Sequence, residues 1–73
     1  MQYIIEFYVL YVGSRYYSHD LQPGLTTWST NEDELMQIGN EWLQKSESHI
    51  EAKRFTIRQL NPDGTSKFLY TGE

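Results

Sequence analysis

Between Ser29 and Ile50 the apolar residues recur with a helical period, and no other stretch of the chain does this. On a helical wheel Leu35, Met36, Ile38, Gly39, Trp42, Leu43, Ser46 and Ile50 fall on one side. Asp33, Gln37, Asn40, Glu41, Gln44, Ser48 and Glu51 fall on the other. The flanking stretches alternate, or run apolar over short lengths, as strands do. One apolar helical stripe needs one surface to bury it, and strands on both sides in sequence supply that surface. The expected fold is α+β: a single domain over residues 1–73, with one amphipathic helix on one face of a mainly antiparallel sheet. Four strands are read, with a candidate fifth, in the order β-β-(β)-α-β-β.

The helix start is marked by Ser29-Thr30-Asn31-Glu32, which matches a capping box, with Thr30 as an alternative N-cap. Glu32, Asp33 and Glu34 then fill the first turn, where carboxylates oppose the positive end of the dipole. Gly39 sits inside the apolar stripe at a cost of about 1 kcal/mol relative to Ala. Its expected return is a close approach of helix to sheet over an aromatic ring. Ser46, Ser48 and His49 weaken the stripe, which puts the helix end between Lys45 and Ile50.

Tyr3 to Val12 is rich in Tyr, Ile, Phe and Val and reads as a strand apolar on both faces, hence central. Its odd positions, Tyr3, Ile5, Phe7, Val9 and Tyr11, are expected to face the helix. Gly13-Ser14 suits a two-residue hairpin turn that sets Tyr11 opposite Tyr16, Leu10 opposite Tyr17 and Tyr8 opposite His19. Tyr11 and Tyr16 then join the inner face, while Tyr8, Leu10 and Tyr17 cluster on the outer one. Ser18 to Gly24 reads as a loop because of Pro23-Gly24. Leu25 to Trp28 is the candidate extra strand.

Beyond the helix, Arg54 to Leu60 and Ser66 to Tyr70 flank the turn sequence Asn61-Pro62-Asp63-Gly64. A four-residue loop pairs Arg58 with Lys67, Ile57 with Phe68 and Phe55 with Tyr70, and gathers the apolar side chains on one face. A three-residue loop scatters them, because a one-residue slip reverses every side chain. The four-residue loop is therefore expected, with Arg58 and Lys67 side by side on the outer face.

The chain has 73 residues and no cysteine, so no disulfide supports so small a core and no thiolate is available as nucleophile or zinc ligand. Two Trp, six Tyr and three Phe supply the bulk. The apolar start is interrupted by Glu6 and lacks a basic lead, so neither a signal peptide nor a membrane span is read. The net charge of −4 argues against general nucleic-acid affinity. Acidic side chains concentrate in residues 31–52, whereas Lys53, Arg54, Arg58 and Lys67 follow together.

No active site, cofactor site or metal site is read. His19-Asp20 places a His beside a carboxylate, but neighbours in an extended segment point to opposite sides. Glu47 and Glu51, one helical turn apart, have no convergent partner. No phosphate-binding glycine loop, nucleophile elbow or spaced metal-ligand set occurs. The outer sheet face carries the stronger signal. It is expected to present Glu6, Tyr8, Leu10, Arg15, Tyr17, Arg54, Thr56, Arg58, Lys67 and Leu69. Of these, Tyr8, Leu10, Arg15, Tyr17, Arg54, Arg58 and Lys67 are the candidate partner-binding residues, since Tyr and Arg are enriched at binding hot spots. Paired Arg58 and Lys67 repel unless an anion bridges them, and that anion is either Glu6 or an acidic partner. A second candidate is the acidic surface of Asp33, Glu34, Glu41, Glu47 and Glu51, which could imitate nucleic-acid phosphates.

A short, acidic, cysteine-free chain with one helix on an antiparallel sheet resembles, in size and style, the small inhibitors encoded by phages and plasmids. That resemblance implies a non-enzymatic inhibitor or adaptor that occludes a protein partner's surface, in the host cytoplasm if the source is a phage. The alternatives are a nucleic-acid binder using the Tyr/Arg sheet face and an acidic-helix mimic. A homodimer through the outer face is a further expectation, because exposed Tyr8 and Leu10 on a strand invite association.

Overall fold

The computed structural model describes residues 1–73. Its longest apolar strand, β1 (Gln2–Tyr11), takes partners along both edges. On one edge lies β4 (Ile50–Leu60), antiparallel from Gln2 opposite Leu60 to Leu10 opposite Ala52, with a register shift before Tyr11 meets Ile50. The other edge of β1 is shared by two short antiparallel strands. β2 (Ser18–Asp20) covers the half from Phe7 to Val9, and β3 (Trp28–Ser29) pairs with Tyr3 and Ile4. β5 (Ser66–Gly72) pairs antiparallel with the far edge of β4. The sheet order is β2-β1-β4-β5, with β3 beside β1, and the single helix α1 (Glu32–Leu43) packs on one face. No helix is long and apolar enough to cross a membrane.

The core lies between α1 and the two central strands. Ile5, Phe7 and Val9 of β1 are buried with Phe55 and Ile57 of β4 and with Leu35 and Trp42 of α1. Ile5 stands opposite Ile57 and Phe7 opposite Phe55, so the apolar period of both strands faces the helix stripe. Trp42 meets Phe7 edge-on, with ring centroids 4.8 Å apart at 63°. Gly39 has the role expected of it: a Cβ there would lie 2.6 Å from two carbons of the Phe55 ring. Gly72 of β5 leaves the same kind of space at the other end of that ring. Two glycines thus let helix and edge strand close on one phenyl ring.

The helix is shorter than its sequence period and begins later than the capping box suggests. Asn31 is the N-cap, its Oδ1 accepting from the Asp33 N–H at 3.0 Å. Ser29 is buried just before it, accepts from the Asn31 N–H and donates to Glu34 Oε2 at 2.9 Å. Pairing of Ser29 with Tyr3 holds it in β3, which is why it does not itself begin the helix. At the other end no basic residue stands in the last turn. Lys53 of β4 supplies the charge instead, donating to the Trp42 carbonyl at 3.0 Å and the Lys45 carbonyl at 2.6 Å. Ser46 and Glu47 therefore lie in a loop. Ile50 and Glu51 belong to β4, since β1 is long enough to offer them a partner strand.

Both hairpins depart from expectation in an instructive way. Tyr8 is opposite His19 as expected, but pairing stops at Val9 opposite Ser18. The turn closes earlier, from the Ser14 N–H to the Tyr11 carbonyl, with Gly13 alone at positive φ (87°), as a type II turn requires. Tyr11 and Tyr16 are consequently exposed rather than inner. In the second hairpin the four-residue loop is overturned. The Asn61 N–H binds the Thr65 carbonyl, Gly64 (φ 89°) returns its N–H to Asn61, and Leu60 pairs with Ser66. This is the three-residue loop with a glycine in the left-handed region. It is fastened by Asp63 Oδ1, which accepts from the Thr65 N–H at 3.0 Å and hydroxyl at 2.7 Å. These two bonds hold the Asp63 carboxyl below its usual range. The scattering that a slip predicts is repaired by a bulge: the register changes between Ile57 and Arg58, leaving Leu69 unopposed and returning Tyr70 to Ile57.

Candidate binding face

On the side away from α1 the even residues of β1 stand in rows set by the registers. One row runs Trp28, Ile4, Arg58, Phe68 across four strands. The next is Glu6, Thr56, Thr71, and the third is His19, Tyr8, Arg54. Leu10 and Ala52 follow. Trp28 is 55% and Phe68 50% exposed, and both lie on the flanking strands, so the row ends in aromatics at either margin.

Polar groups on this face are largely paired among themselves. Glu6 lies 3.5 Å from the Arg58 guanidinium and accepts the Tyr8 hydroxyl at 3.4 Å. Burial, then the charge of Glu6 and its bond, raise the Tyr8 phenol above the ordinary value of 10.0. Arg54 reaches Glu73 at 2.6 Å and lies over the Tyr17 ring at 4.2 Å. Arg58 also sits 5.9 Å from the centre of the Phe68 ring. His19 tilts against Tyr8, with ring centroids 5.3 Å apart. Thr56 Oγ1 is buried at the middle of the face without a hydrogen-bond partner.

Of the residues expected on this surface, Tyr8, Leu10, Arg54, Arg58, Glu6 and Thr56 share one face, and Tyr17 joins them beneath Arg54. Three do not. Lys67 stands opposite Gln59, hence on the helix side, because the three-residue loop shifts β5 by one. Arg58 faces Phe68 in its place. Leu69, as the bulged residue, packs against the core. Arg15 is exposed in the turn region outside the sheet, since pairing ends before it. The anion beside Arg58 is Glu6, so no external charge is required there.

Trp28, Phe68 and His19 complete the face; of these only His19 was read from sequence as standing beside Tyr8. For Trp28 the available signal was the alternation Trp28-Ser29, a large residue outward and a small one inward. For Phe68 the side follows from the loop length: the three-residue loop, which the apolar pattern disfavoured, sets it opposite Arg58.

The acidic side chains are divided between α1 and the segment after it. Asp33, Glu34 and Glu41 are on α1, but Glu34 is bound to Ser29 and Glu41 to Gln37 at 3.2 Å. Glu47 and Glu51 are off the helix, so no helical turn relates them. Asp20 is held by Gln22 at 2.8 Å and points to the opposite face from His19. No three His, Asp or Glu side chains gather as a metal ion needs. No protein-family model, curated protein or solved structure matches the chain.

Proposed function

We propose that this chain is a non-enzymatic binding module, an inhibitor or adaptor of the phage or plasmid type, which lays its outer sheet face over a protein partner in the host cytoplasm. The row Trp28–Ile4–Arg58–Phe68 carries the reading. Two large aromatic side chains are held half in water, with an arginine between them, on the face that no element of the fold covers. A domain of 8.7 kDa gains nothing for its own core from them. Trp, Tyr and Arg are also the side chains that dominate protein hot spots. Arg54 and Arg58 favour a protein over a nucleic acid, since each already has a carboxylate. Trp28 and Phe68 also flank the face rather than forming a central stacking platform.

Affinity capture from host lysate tests the reading when wild type is run beside Arg58→Glu, Phe68→Ala and, as a helix control, Glu41→Lys. One protein should be retained by wild type and Glu41→Lys and lost with the two face variants, all four melting at similar temperatures. Loss with Glu41→Lys alone would transfer the function to the acidic helix.

A further inference from the structure

We propose that in the absence of its target the outer face is covered by a second copy of this chain, packed face to face about a two-fold axis parallel to the strands. The inference rests on the reading of this face as a binding surface and names an occupant for it. β1 and β4 are the central strands, and their outward residues are cross-strand partners: Ile4 with Arg58, Glu6 with Thr56, Tyr8 with Arg54. An axis running between them along the strands lays β1 of one copy over β4 of the other at the same height. Each residue then meets the copy of its own cross-strand neighbour.

The consequences are complementary at the aromatic positions, while Ile4 covers the stem of Arg58 of the second copy. Tyr8 meets Arg54 of the second copy, and Trp28 meets Phe68 of the second copy at both margins, a pairing that aromatic rings favour. Glu6 lands over Thr56 of the second copy, flanked there by Arg54 and Arg58. The other symmetric arrangement, with the axis across the strands at the level of Glu6, lays β1 on β1. It sets Glu6 against Glu6 and Arg54 against Arg58, and like charges meeting in a desolvated contact are repelled. Charge therefore selects the first axis.

β1 has ten residues, about 33 Å at 3.3 Å each, and four strands span about 19 Å. Since β5 has seven residues and β2 and β3 have three and two, the face is about 500 Å² in plan, against the ~800 Å² that each partner contributes to a standard interface.

The chain has no cysteine, so single thiols report the axis directly. Trp28→Cys protein mixed with Phe68→Cys protein under oxidising conditions should give the mixed disulfide in preference to either homodimer. Wild type should sediment at twice 8.7 kDa at high micromolar concentration. Arg58→Glu should raise the dissociation constant about tenfold or more, and adding Glu6→Arg should restore it. A chain that stays monomeric at its solubility limit overturns the proposal. So does a dimer without preferred mixed cross-linking, as pairing through the open β5 edge would give. A monomer that still captures its target through Arg58 leaves the proposed function standing and removes self-association alone.

Discussion

Gly39→Ala separates packing from helix propensity, because the two effects have opposite signs at this position. In an exposed helix the substitution would stabilise by about 1 kcal/mol. Here the new methyl would stand 2.6 Å from the Phe55 ring, well inside contact distance. The ring has little room to yield, because Gly72 approaches it closely from β5. Overpacking of a filled core costs about 1–3 kcal/mol, and so deep an overlap belongs at the upper end. The net expectation is a loss of about 2 kcal/mol, or a fall in melting temperature of about 8–16 °C for a domain of this size. Urea unfolding of wild type and variant, followed by tryptophan fluorescence, measures it. In a Phe55→Leu background the same substitution should become neutral or stabilising, since the obstructing ring edge is gone. A Gly39→Ala protein more stable than wild type would refute the close approach of α1 to β4.

The other expectations concern the core, the helix end and the outer face. Trp42→Ala removes the buried ring that meets Phe7, costs about 3–5 kcal/mol and leaves the chain largely unfolded by circular dichroism; an unchanged melting temperature would mean that the helix face is misplaced. Lys53→Met keeps the aliphatic stem but loses both bonds to the helix carbonyls, and should lower urea stability by about 1–2 kcal/mol. For Tyr8 the folded pKa is raised, so its contribution is fully present below the unfolded value near 10 and is lost as pH rises through the folded one. Ultraviolet titration should show a phenol ionising above the ordinary value, and Tyr8→Phe should remove that step together with its share of the alkaline loss of stability.

Much of this fold was legible because burial imposes a period. The odd residues of β1 and the stripe Leu35, Gly39, Trp42 could be assigned to the core before any register was known, and Gly39 was placed over an aromatic ring from its cost alone. Tyr8 meets His19 as read, although the turn that closes from Ser14 to Tyr11 is not the Gly13-Ser14 turn from which that register was drawn. The second hairpin was not. Apolar pattern selected a uniform register, whereas the Asp63–Thr65 bonds close a shorter loop and the bulge at Leu69 restores the pattern two residues later. Two compensating irregularities leave no trace in periodicity, and the first of them, the shorter loop, sets Phe68, not Lys67, beside Arg58. The helix length was overread for a related reason: Ile50 continues the helical period by coincidence while β1 claims it as a strand partner.

If the face opposite the helix is the working surface, Trp28 reports on it. The chain has two tryptophans, Trp42 buried in the core and Trp28 more than half exposed on that face. Acrylamide quenching of wild type, with Trp28→Phe as the reference that isolates Trp28, gives the accessibility of the face alone. Trp28 should be readily quenched in dilute free protein and become severalfold less quenchable once the protein is in complex. Trp28 quenched equally well in the free and bound states would contradict it.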